Sequence, residues 1–195
     1  MNRFDKLATI LSFPLVFINL VGGIVSGIWL ALLGEWSVIG YGVGLLVASN
    51  FLLGPAITPG KLIATLVAKI GDAGSSSRHS IFNVFDTIYT ITLFSAWTVF
   101  ILFFFLAHSD SDSFIPILIW SYGIAMYPLQ DLAQKEIGRG DAFIIYTVLF
   151  VQISYAFTIA LLILGVTVID TLVFFGIFML TGLIVRLKIG ANKAS

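Results

Sequence analysis

Long apolar runs separated by short polar gaps dominate the chain. Six of them, 10–33, 37–57, 83–107, 114–133, 142–165 and 168–187, come close to or exceed the ~20 mostly apolar residues that a helix needs to cross a bilayer. The pattern predicts an all-α, polytopic integral membrane protein, a six-transmembrane-helix bundle forming a single transmembrane domain over 1–195. The fourth run is the least uniform. Pro128, Gln130 and Asp131 fall in its second half and predict a shortened or unwound end. The first follows Arg3 and Lys6, as the apolar region of a signal peptide would, but it is longer than such a region and has no clear A-x-A site, so it reads as a span.

The one long interruption is 58–80, TPGKLIATLVAKIGDAGSSSRHS, which divides the runs two plus four. Its first half has helical period: Thr58 suits a cap, Pro59 a first turn, and Leu62, Ile63, Leu66, Val67 and Ile70 share a face. Lys61 and Lys69 lie on the opposite face. A short interfacial amphipathic helix at about 60–70 follows, with these two lysines toward anionic lipid headgroups. Gly71 should end it, and the small polar residues after it predict a flexible tether.

Composition sharpens this picture. Hydrophobic residues make up 59% and charged residues 10%, with a mean hydropathy of +1.08, against roughly 25% charged in a soluble domain. A formal net charge of zero gives no general attraction for nucleic acid. The absence of cysteine excludes disulfides, thiolate metal sites and cysteine nucleophiles. Charge position is more informative than charge sum. Every Lys and Arg falls on the side that holds both chain ends, 58–80 and the gap at 134–141, while the opposite loops carry Glu35, Asp110, Asp112 and Asp170 with no basic residue. The positive-inside rule then puts both termini in the cytoplasm, consistent with an even number of spans in a plasma or bacterial inner membrane. Trp29 and Trp36 fall at the outer interface.

Candidate chemistry is sparse and uncharged. Asn19, Asn50 and Gln152 lie near the middle of runs one, two and five, with Thr92, Ser95 and Thr98 on the third and Tyr122 and Tyr155 on the fourth and fifth. Amides and hydroxyls at one depth can line a cavity for a neutral solute, with Asn19, Asn50, Gln152, Ser95 and Tyr155 as candidate solute-binding residues. They can equally bond one another across helices, which the pattern favours. No ionisable residue lies at mid-depth of a run, which argues against proton relays and ion-coupled pumps. Asp86 and Asp131 lie nearer the cytoplasmic side, as candidates for a cation-attracting vestibule or as partners of Arg78, Lys135 or Arg139. The outer sequence His108 to Ser113 has oxygen ligands at alternate positions but neither the glycine nor the distal glutamate of a calcium loop, so it reads as a turn capping the fourth run. Protease, hydrolase and phosphate-loop signatures are absent, so neither an enzyme nor a bound cofactor or metal is expected.

Small residues recur at helical spacing: Gly23, Gly27 and Ala31 on the first run, Gly40, Gly44 and Ala48 on the second. In lipid such faces let backbones approach closely. They predict either close packing of the first two helices, which the short GEW turn at 34–36 would force side by side, or docking of another subunit or a second copy. Six spans, this length and the ladder at Gly23, Gly27 and Ala31 resemble the substrate-binding membrane subunits of energy-coupling-factor vitamin importers. That resemblance covers topology and three positions. It implies docking to a transmembrane coupling subunit through the ladder, which in that family is typically alanine-based, and no ligand-binding motif of the family is matched.

Two functions are therefore expected. One is a transport component binding a small neutral or weakly polar solute within the bundle. The other is a non-catalytic subunit that scaffolds or regulates a larger membrane complex, with lipids and a membrane-protein partner or homo-oligomer as its contacts.

Overall fold

In the computed structural model the described residues are 3–71, 76–137 and 142–192, with side chains described for 10, 14–53, 88–132 and 147–184. They form six helices and no strand: α1 Arg3–Leu32, α2 Trp36–Gly71, α3 Ser76–Leu106, α4 Phe114–Ile137, α5 Ala142–Ile163 and α6 Val168–Asn192. Three helices among them are long and apolar enough to cross a membrane, over Pro14–Leu32, Trp36–Leu53 and Ile88–Leu106; Thr147–Ile163 and Val168–Ile184 are shorter apolar stretches. The exposed faces suit lipid. Phe17, Leu20, Ile24 and Ile28 on α1, Val47 and Phe51 on α2, and Val173, Phe174 and Ile177 on α6 all point outward, which an aqueous surface of this extent would not tolerate.

Short turns place the helices. α1 ends at Gly34, whose φ of +83° only glycine adopts without strain. The Gly34 N–H bonds the Ala31 carbonyl at 3.1 Å and the Glu35 N–H bonds that of Leu30 at 2.9 Å, a Schellman closure. The α5–α6 turn repeats it: Gly165 has φ +83°, and Val166 N–H reaches the Leu161 carbonyl at 3.0 Å. Thr167 then starts α6 as a capping box. Its hydroxyl donates to Asp170 Oδ2 at 2.7 Å and accepts from the Asp170 N–H at 3.2 Å. Before α4, the carbonyl of Ser113 takes the Ile117 N–H at 2.9 Å, and its hydroxyl accepts the Asp110 N–H at 3.1 Å, so the His108 to Ser113 stretch is a turn that starts α4.

Helix α4 is the hub, packed against α1, α2, α3 and α5. That position explains its composition. A helix surrounded by protein finds partners for Ser121, Tyr122 and Gln130 that lipid cannot supply. The helix also continues through Pro128 to Ile137, so the expected unwinding does not occur. Proline costs the bond to the Ile124 carbonyl, and in the same turn the Ala125 carbonyl accepts Trp97 Nε1–H of α3 at 3.1 Å. Around this axis the buried core gathers Phe94, Ile101, Phe105, Leu118, Met126 and Val151.

Two sequence expectations change at 58–80. α2 runs unbroken across Thr58 and Pro59 to Gly71, so 60–70 extends the second helix and does not start a separate one. At 36 residues α2 is about 54 Å long by helical rise, well over a ~30 Å hydrocarbon core, so its second half continues past the membrane-spanning part. The expected tether is also shorter, because α3 is already helical at Ser76. The side chains of Lys61, Lys69 and Asp86 lie outside those described.

Candidate functional site: a groove between α1, α2 and α4

The tight turn at Gly34 joins α1 and α2, yet the two helices touch each other less than each touches α4. They lean apart and leave a cavity of about 750 Å³ with α4 as its floor. One wall is α1 from Val16 to Ala31, including Gly23 and Gly27. The other is α2 at Trp36, Ile39 and Leu46. Several wall residues, Leu20, Ile24 and Ile28, also face outward, so the groove opens sideways onto the apolar outer face of the bundle.

Glycine sets its shape. α1 and α4 cross at Gly23 and Gly123, where a Cβ on Gly123 would stand 3.6 Å from both the Gly23 Cα and Asn19 Oδ1. Further along, the indole of Trp120 lies between Gly27 and Gly42. A Cβ on Gly27 would be 3.1 Å from Trp120 Cζ3, and one on Gly42 would collide with Trp120 Nε1. Gly23 itself has open space where a Cβ would point.

Polar groups collect at the inner end of the groove. Asn19 Nδ2 donates to Gln130 Oε1 at 3.0 Å, linking α1 to α4. Both residues are more than nine-tenths buried, at 5% and 7% exposure, yet Asn19 Oδ1 and Gln130 Nε2 have no hydrogen-bond partner, nor has Trp120 Nε1. Asp131, half-buried and not without an interaction partner, lines the same end. A buried polar atom without a partner costs about 1–3 kcal/mol, and three of the five such atoms among the described residues belong to side chains that line this groove.

The three mid-span amides do not share this cavity. Asn50 is exposed and, among the described residues, bonds the Leu46 carbonyl of its own helix, at 3.3 Å. Gln152 is buried on the far side of α4, near Tyr122, and its Nε2 too has no hydrogen-bond partner. There Ser121 Oγ meets the Tyr155 hydroxyl at 3.1 Å, and the Tyr122 and Tyr155 rings stack with centroids 5.9 Å apart. This network holds α4 to α5 and lines no part of the groove. Ser95, on α3, buries its hydroxyl without a partner. Gly40 and Gly44 face open space on the outside of α2.

Gln130, Trp120 and Gly42 are the site residues that sequence reasoning missed. Gly42 was hidden because small residues were sought four apart, and Gly42 falls between Gly40 and Gly44. Gln130 stood in view as a polar residue late in an apolar run, but its pairing with Asn19, 111 positions away, has no local signal. No family model, curated protein or solved structure matches the chain.

Proposed function

We propose that the protein is a multi-pass membrane component of transport that binds a small neutral or weakly polar solute in the groove between α1, α2 and α4. In this reading all six helices cross the bilayer and both termini lie in the cytoplasm, as the loop charges favour. The observation that carries it is the Asn19–Gln130 pair: buried, joined by one hydrogen bond, and left with one unpartnered acceptor and one unpartnered donor, on two side chains that line a cavity of about 750 Å³. A largely apolar pocket with a few convergent polar groups is the usual form of a small-molecule site.

Native mass spectrometry of protein extracted without delipidation tests this reading. A co-purifying small molecule should be present on the wild type and depleted on Gly23→Leu, whose side chain starts in open space at the groove. Equal occupancy of both forms would remove the groove as the binding place.

A second reading, a non-catalytic subunit within a larger complex, draws on Gly40 and Gly44. Their backbones are exposed on the outer face of α2, where close helix contact in lipid uses such residues. Loss of a co-purifying partner in Gly40→Leu with Gly44→Leu, with the groove variant unaffected, would favour it.

A further inference from the structure

We infer that the groove takes a neutral single-chain amphiphile, an alcohol or amide head on one long hydrocarbon chain, received sideways from the bilayer. This rests on the solute-binding reading above and names its ligand class.

The head is defined by hydrogen-bond inventory. Asn19 Oδ1 needs a donor and Gln130 Nε2 needs an acceptor. Rotating both amides by half a turn exchanges which residue supplies which and leaves the same pair of needs. A carboxylate or phosphate dianion only accepts, and an ammonium only donates. A hydroxyl or an amide does both. The two free atoms belong to side chains already bonded to each other at 3.0 Å, so one small head reaches both.

The tail is defined by the walls. From Asn19 the groove follows α1 past Gly23, Ile24 and Gly27 to Ala31, about 18 Å by helical rise. Its lining there is apolar apart from the Trp120 indole and the Tyr127 hydroxyl. A short polar solute would leave this length without contacts, whereas an extended chain covers it. Lateral access follows from Leu20, Ile24 and Ile28, which are more than half exposed and also line the groove. A chain already lying in the membrane reaches the floor by passing between α1 and α2, with no aqueous route needed.

The test titrates thermal unfolding of the full chain in phosphatidylcholine nanodiscs against hexadecanol, hexadecane, palmitate and propanol. At a pH high enough to keep palmitate ionised, hexadecanol should raise the unfolding midpoint at about tenfold lower mole fraction than hexadecane, which has neither a donor nor an acceptor, or palmitate, which has no donor. Asn19→Leu should abolish that preference. Gly23→Leu, which keeps every polar group, should weaken the response to hexadecanol and hexadecane together. Palmitate matching hexadecanol would overturn the neutral head. Propanol acting as strongly as hexadecanol, and losing its effect in Asn19→Leu, would overturn the long chain while leaving a solute site at Asn19 and Gln130. If wild type and both variants respond alike to all four, the ligand class and the solute-binding reading both fall.

Discussion

The two faces of α4 use similar side chains to opposite ends. Toward α5, Ser121 bonds Tyr155, the Tyr122 ring stacks on that of Tyr155, and Gln152 lies buried beside them with its Nε2 unpartnered, all in a packed layer without a cavity. Toward α1, Asn19 and Gln130 make one bond and leave two atoms free beside a cavity. The chemistry is nearly the same; what differs is the space beside it, because α1 packs on α4 as closely as α5 does while α1 and α2 part over the groove. α5 lies close enough for hydroxyls and rings to fill the interface. α1 touches α4 at the Gly23–Gly123 crossing, and α2 is kept off the other side by the Trp120 indole. Similar polar side chains thus tie two helices together on one face of α4 and line an open groove on the other.

That contrast gives ranked expectations. The largest effect should come from the glycine that seats the indole. Gly42→Val puts a Cβ into Trp120 and should cost about 2–3 kcal/mol by overpacking, more than the ~1 kcal/mol that any better helix former returns. Unfolding in mixed micelles reads it. Gly44→Val, two residues along the same helix and facing open space, is the control and should be close to neutral. Equal losses at the two positions would mean that the Trp120 slot does not set the groove.

Next is the adhesive face. Tyr155→Phe removes the hydroxyl that meets Ser121 while keeping the stacked ring. Interhelical hydrogen bonds in membranes average about 0.6 kcal/mol and reach ~1.7, and this one should lie within that range because both residues are buried. Ligand binding in the groove should be unchanged. A variant as stable as wild type but defective in binding would reverse the assignment of the two faces.

The smallest effect belongs to Asn50. Among the described residues it bonds its own helix, and it is exposed, so Asn50→Leu should alter stability by less than about 0.5 kcal/mol, as surface changes away from special features do. Binding should also be unaffected. A large effect in either assay would show a neighbour on α2 that the isolated bundle lacks, and would move weight to the interaction-subunit reading.

Periodicity and apolar length made most of the fold legible. The six runs correspond to six helices, and Gly34, Ser113, Gly165 and Thr167 mark boundaries for reasons a sequence displays. Two boundaries escaped. Pro59 reads locally as a first-turn residue, yet α2 passes through it, and Pro128 reads as a stop, yet neighbours on four sides hold α4 helical. The site was half legible. Asn19 stood out as an amide in an apolar run, but sequence cannot say which way a side chain turns, and the three amides sharing a depth proved to face three different surroundings. Its partner Gln130 depends on α1 packing against α4 and not mainly against its chain neighbour α2, a choice settled by tertiary packing.

The central claim is that the Asn19–Gln130 pair is kept for a ligand and not for the fold. Thermal unfolding of Asn19→Leu with Gln130→Leu, in nanodiscs with and without hexadecanol, tests it most directly. Replacing both members of a half-satisfied pair with apolar groups of similar size is nearly neutral or stabilising, so the double variant should unfold at or above the wild-type midpoint without ligand. Hexadecanol should raise the wild type alone. A double variant that loses as much stability as Tyr155→Phe, and still gains the full shift from hexadecanol, would show the pair to be structural and contradict the account.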